Sequence, residues 1–170
     1  MVFTLPNYFT ILRIILIPLY IFFFLKDELL LSGIIFIISA ITDFLDGFIA
    51  RKYNLVSQLG KILDPLADKL TIISILILLI IKNIVPQCIA WILLFRELFI
   101  FISSVIVYIS GLNVINPTKI GKISIFLLYV AIAAKLLEIP YLETILFFIV
   151  IPMNVYSGFD YIYKFYKKLL

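Results

Sequence analysis

Four aspartates, Asp43, Asp46, Asp64 and Asp68, alternate with Gly47, Ala50, Arg51 and Gly60 in the order Asp43-x2-Asp46-Gly47-x2-Ala50-Arg51-x8-Gly60-x3-Asp64-x3-Asp68. On a helix the first group falls at i, i+3, i+4 and i+7, so two carboxylates and two small residues form one stripe. Gly60, Asp64 and Asp68, at i, i+4 and i+8, form a second stripe on the next helix. Carboxylates gathered this closely need neutralising, because a like-charge pair at about 4 Å repels by roughly 4 kcal/mol at an effective dielectric near 20. Two divalent cations would balance four negative charges. A ligand set made only of oxygen, in a chain with no histidine, suits Mg²⁺, Mn²⁺ or Ca²⁺ rather than zinc. A pair of such ions about 4 Å apart can clamp a phosphoryl group during displacement. The missing side chains at Gly47 and Ala50 let a ligand approach the backbone, and Arg51 supplies a planar donor suited to phosphate.

These stripes must be held by helices in a membrane. The 170 residues are 65% hydrophobic and 14% charged, whereas soluble domains carry about a quarter charged residues. Runs of membrane length succeed one another with no polar stretch long enough for a separate soluble domain. We expect an all-α integral membrane bundle of six transmembrane helices, at 6–25, 30–50, 61–82, 86–110, 118–137 and 141–163, forming one domain over 1–170. The N-terminus lacks the basic region and small-residue cleavage site of a signal peptide, so the first run is expected to stay as a helix. Six spans put both termini on one side with Arg51, Lys52, Lys61, Lys119, Lys122, Lys164, Lys167 and Lys168. Lys26, Lys82 and Lys135 fall on the other. The positive-inside rule makes the first side cytoplasmic, and the aspartates share it. A net charge of +4, distributed beside spans in this way, points to an anionic lipid surface and not to nucleic acid.

Other residues have plainer expectations. The single cysteine, Cys88, cannot form an intramolecular disulfide and is read as membrane packing. Tyr8, Trp91 and Tyr141 read as interfacial anchors. Arg13 is expected near the cytoplasmic mouth, either contacting phosphate or snorkelling to the surface. Arg96 and Glu97 both fall inside a span, where a salt bridge competes with a role in binding.

The aspartate pattern has a chance occurrence at a given start on the order of one in 10^10 at ordinary residue frequencies. A cation or proton pathway would also use intramembrane acids, but would not require Gly47, Ala50, Arg51 and Gly60 at these offsets. The pattern resembles the signature of the CDP-alcohol phosphatidyltransferase family at every fixed position. The resemblance implies a six-helix membrane enzyme of phospholipid biosynthesis that moves a phosphatidyl group from CDP-diacylglycerol to an alcohol and releases CMP. It implies that Asp43, Asp46, Asp64 and Asp68 bind two divalent cations, Mg²⁺ or Mn²⁺, with Asp68 also the general base. It further implies that Gly47, Ala50, Arg51 and Gly60 bind the CDP moiety, that the enzyme is a homodimer, and that it resides in the cell membrane.

Three further stretches resemble the subfamilies that make phosphatidylglycerol phosphate or cardiolipin. They are Leu5-Pro6-Asn7-Tyr8-Phe9-Thr10-Ile11-Leu12-Arg13, Gly60-Lys61-Ile62-Leu63-Asp64-Pro65-Leu66-Ala67-Asp68-Lys69, and Arg96-Glu97. The segment Pro117-Thr118-Lys119-Ile120-Gly121-Lys122-Ile123-Ser124 is similar to a Gly-Lys-x-Lys-Thr stretch of the phosphatidylglycerophosphate synthases, with Ser124 in place of its second lysine and Ile125 in place of its threonine. It is also similar to a Pro-Thr-x-x-x-Lys stretch of cardiolipin synthases. Glycerol 3-phosphate is the favoured acceptor, phosphatidylglycerol the alternative. In either case Arg96, Lys119 and Lys122 are the candidate donors to the acceptor phosphate.

Overall fold

The computed structural model describes residues 5–53, 60–110 and 118–169, with some side chains within these ranges outside the description. Among the described residues the structure is entirely helical. It comprises α1 (Leu5–Leu25), α2 (Leu29–Tyr53), α3 (Gly60–Ile81), α4 (Gln87–Ile109), α5 (Lys119–Leu136) and α6 (Leu142–Leu169). Among the described residues, three helices contain segments long and apolar enough to cross a membrane: Tyr8–Leu25, Gln87–Val107 and Thr144–Lys167. Helix α3 carries Lys61, Asp64, Asp68 and Lys69 in its first half and α5 carries three lysines, so charge lowers their apolar character. The predicted spans coincide with helices to within a few residues, except that α6 runs on from 163 to Leu169. Nothing in that stretch breaks a helix. Lys164 pairs with Asp160 at 2.8 Å one turn earlier, and basic residues suit a helix C-terminus.

The turns have a shared local cause. Asp27, Asn83 and Glu138 follow α1, α3 and α5 with φ of 63°, 53° and 53°. After Asp27 the chain closes with Glu28 N–H donating to Phe23 O at 3.0 Å and Asp27 N–H to Phe24 O at 3.1 Å. The same paired bonds, Ile84 to Leu79 and Asn83 to Ile80, both 3.1 Å, end α3. This is the Schellman cap, with Asp or Asn in the left-handed position that glycine more often takes. Each cap satisfies helix-end carbonyls and turns the chain for the next helix.

The chain divides into two compact units, 1–78 with 136–138 and 79–135 with 139–170. In the first, α1 and α2 form an antiparallel hairpin: Arg13 meets Asp43, while Tyr20, farther along α1, meets Phe36 and Ser32 on α2. Helix α3 runs parallel to α1, since Thr10, Arg13 and Tyr20 engage Asp64, Asp68 and Thr71 in the same order. The polarity is that of a protein in lipid. Thr10, Ser32, Ser39, Thr42 and Thr71 are buried, whereas Ile15, Phe22, Ile41 and Phe44 are exposed. Interhelical contact here depends on polar and small side chains and not on apolar burial alone.

Gly33 shows how close that contact is. A β-carbon there would lie 2.8 Å from Leu136 Cβ and 3.4 Å from the Leu136 carbonyl carbon, atoms near the backbone that cannot swing aside. Gly33→Ala is therefore expected to separate the two segments and lower stability by about 1–3 kcal/mol. A fall in the melting temperature of the detergent-solubilised protein checks it, and an unchanged value would show that the segments yield freely.

In the second unit α5 and α6 are antiparallel, Gly121 lying against Ser157 and Ser124 against Asn154. Helix α4 packs on α6 through Arg96 with Ser157, Ser104 with Tyr161, and Phe99 with Phe165. Cys88, Tyr8, Trp91 and Tyr141 are all exposed.

Candidate active site

Helix α1 contributes two polar side chains one turn apart, and both are buried: Thr10 at 0% exposure and Arg13 at 1%. Thr10 Oγ1 donates to Asp64 Oδ1 at 2.5 Å. Arg13 Nη1 lies 2.5 Å from Asp43 Oδ1 and also donates to Asp68 Oδ1. Acids from α2 and α3 therefore meet on one guanidinium nitrogen. The Asp43 and Asp68 side chains are each 44% exposed, so their carboxylates form the accessible side of the cluster and the arginine its inner wall. A buried guanidinium needs such partners, since leaving it unpaired costs several kcal/mol.

The hydrogen-bond geometry explains the pairing of residue types. A threonine hydroxyl can orient one carboxylate oxygen and leave the other available. The planar guanidinium reaches two acids from one side chain, which an ammonium on a flexible stem does less well. Among the described residues no three acidic side chains converge on a single point. Asp43 and Asp68 share Arg13, while Asp64 is turned by Thr10.

The residues singled out in the sequence fare differently. Arg13 of α1 joins Asp43 to Asp68, and Thr10 of the same helix holds Asp64. The side chains of Asp46, Gly47, Ala50, Arg51 and Gly60 lie outside the described residues. Arg13 does not snorkel: its guanidinium is held inward by carboxylates. Thr10 is a member of the cluster that sequence reasoning missed. The available signal was the recurrence of polar residues at i, i+3 on α1, Thr10 and Arg13, the same spacing as Asp43 and Asp46.

In the second unit Arg96 is mostly committed. It donates through Nη1 to Glu97 Oε1 and through Nη2 to Ser157 Oγ at 3.0 Å. Glu97 is 0% exposed, so the ion pair answers the cost of placing either charge there. Gly121 lets α5 approach this group, for a β-carbon would come within 2.6 Å of Ser157 Oγ. Lys119 and Lys122, in the first turn of α5, are exposed.

In the first unit, α1, a helix long and apolar enough to cross a membrane, sets a buried arginine behind the partly exposed carboxylates of Asp43 and Asp68. The family model for CDP-alcohol phosphatidyltransferase matches residues 3–156, and the chain belongs to that family of enzymes. It is 36% identical to a CDP-diacylglycerol--glycerol-3-phosphate 3-phosphatidyltransferase of Rickettsia felis, the alignment covering 96% of each chain. A Bacillus subtilis protein of the same name is 32% identical over 98% of this chain and 97% of its own. A cardiolipin synthase (CMP-forming) of Streptomyces coelicolor is 32% identical over 81% of this chain and 66% of its own. Membership of an enzyme family removes the ground for reading the aspartates as a cation pathway.

Proposed function

We propose that this protein transfers the phosphatidyl group of CDP-diacylglycerol to glycerol 3-phosphate and releases CMP, in the synthesis of phospholipids. The observation that carries the reading is the meeting of Asp43 and Asp68, from different helices, on one side chain of α1. The relatives named for the glycerol 3-phosphate reaction align along nearly their whole length, and this favours that acceptor over phosphatidylglycerol. In this reading the whole chain, 1–170, is one catalytic domain of six membrane spans. It works as a homodimer in the cell membrane with its acids facing the cytoplasm.

The acids present fit divalent cations. They offer carboxylate oxygens only, they are accessible at Asp43 and Asp68, and the place they occupy already draws a positive charge in Arg13. Asp43, Asp46, Asp64 and Asp68 would hold two ions, Mg²⁺ or Mn²⁺. When bound, such ions withdraw charge from the diphosphate and stabilise the departing phosphate.

The remaining steps belong to the chain. Gly47, Ala50 and Gly60 admit the nucleotide, and Arg51 faces the diphosphate. Asp68 accepts the proton of the acceptor hydroxyl as its oxygen attacks the phosphorus bonded to diacylglycerol. The bond from that phosphorus to the CMP oxygen breaks, and CMP leaves as an anion. Lys119 and Lys122 attract the acceptor phosphate. Arg96, already balanced by Glu97, adds less.

Membranes containing the protein, given CDP-diacylglycerol and Mg²⁺, should release CMP when glycerol 3-phosphate is added and form phosphatidylglycerol phosphate, identified by mass. Release only with phosphatidylglycerol would assign the other acceptor. No release with either would defeat the reading.

A further inference from the structure

Arg13 is unusual because its side chain is almost wholly buried and yet sits against two partly exposed acids. Its side chain is 1% exposed while Asp43 and Asp68 are each 44% exposed. An ordinary structural ion pair in an apolar helix bundle is shielded on both partners. Here one face of each carboxylate is open, and the arginine occupies the other. The oxygens it holds, Asp43 Oδ1 and Asp68 Oδ1, come from the residues that the proposed function assigns to divalent cations.

We infer that Arg13 is the resident counter-cation of the aspartate site and that divalent cations load in competition with it. The inference rests on the proposed function. In the absence of divalent ions Arg13 keeps the α2 and α3 acids from repelling one another and so preserves the register of α1, α2 and α3. A divalent ion entering from the accessible side meets carboxylates already positioned but partly neutralised. Loading then requires Arg13 to weaken its hold on at least one of them. Thr10 differs in kind: a neutral hydroxyl on Asp64 orients without competing for charge.

Three features favour this over a fixed structural pair. One guanidinium nitrogen serves both acids, so giving up one partner leaves the arginine still paired with the other. Its burial keeps it from dispersing into solvent, so it returns when the ion leaves. The two acids lie on separate helices, whose approach otherwise depends on a cation being present between them.

The test uses the full-length protein in detergent micelles with Mn²⁺ alone, counting bound ions by electron paramagnetic resonance. Arg13→Gln removes the competing charge. It should bind Mn²⁺ about tenfold more tightly than wild type, the size expected when one neighbouring charge is removed from a carboxylate. Its melting temperature should fall without Mn²⁺ and recover with it. Arg13→Lys, which keeps the charge, should stay near wild type in Mn²⁺ affinity. Equal or weaker binding by Arg13→Gln overturns the inference.

Should Arg13→Gln not fold, the wild type alone decides. The chain has three arginines, Arg13, Arg51 and Arg96, so ¹⁵N-arginine labelling gives few enough side-chain signals to assign. The Arg13 signal should move in step with Mg²⁺ binding and exchange its protons faster. An Arg13 signal that stays put while Mg²⁺ binds overturns the inference and leaves the proposed function standing. Absence of divalent-ion binding to wild type and variants alike would overturn both.

Discussion

Asp68→Asn is expected to reduce CMP release by a factor of about 10²–10⁴, the usual contribution of a positioned general base. The amide has the size and one of the acceptor oxygens of the original side chain, so Arg13 can still donate to it, though to an uncharged acceptor. What it cannot do is take a proton. Binding of CDP-diacylglycerol with Mg²⁺ should therefore persist, because Asp43, Asp46 and Asp64 remain. Asp43→Asn is expected to weaken both binding and turnover, since its role is confined to holding cation and Arg13. Measured side by side, the two variants separate proton transfer from ligand binding. Normal turnover by Asp68→Asn would refute the assignment of the base.

Arg96→Ala should produce the largest loss of stability among single changes in the second unit. It would take the guanidinium from the Glu97 carboxylate, 0% exposed, and the Nη2 donor from Ser157. Breaking a buried ion pair from one side typically costs about 3–5 kcal/mol. Most of that cost is the desolvation of the surviving charge, so Arg96→Ala combined with Glu97→Gln should regain much of it. The check is thermal unfolding in detergent of the single and double variants. If Arg96→Ala melts like wild type, the pair is not holding α4 and α6 together, and the residue is free to be explained by acceptor binding.

The order and type of the helices were legible from the apolar runs, because a membrane segment must satisfy its own backbone hydrogen bonds and has little choice but a helix. The stop signals were legible too: Lys26-Asp27-Glu28 and Lys82-Asn83 fall where Asp27 and Asn83 take the left-handed conformation. The largest difference is at α6, which continues past 163 because the stretch supports its own helix through Asp160 and Lys164.

The candidate site was half legible. That Asp43 and Asp46, or Asp64 and Asp68, lie on one helix face follows from spacing alone, as does the need of so many acids for a counter-charge. The identity of that counter-charge did not follow. Arg13 is as far from Asp68 along the chain as a whole helical hairpin, and nothing in its own neighbourhood tells a buried partner from a residue reaching for the surface. Likewise Arg96 and Glu97 are adjacent in sequence, yet their pairing rather than their separate engagement depends on α6 bringing Ser157 alongside.

By itself, then, the chain's residue order determined which segments are helical, which faces carry acids, and which enzyme family it joins, because periodicity and local capping act over a turn or two. Tertiary structure alone decided that Arg13 and Thr10 complete the acidic cluster and that Glu97 takes up Arg96. Those outcomes depend on which helices pack together, and only packing removes water from a charge and so compels it to find a partner.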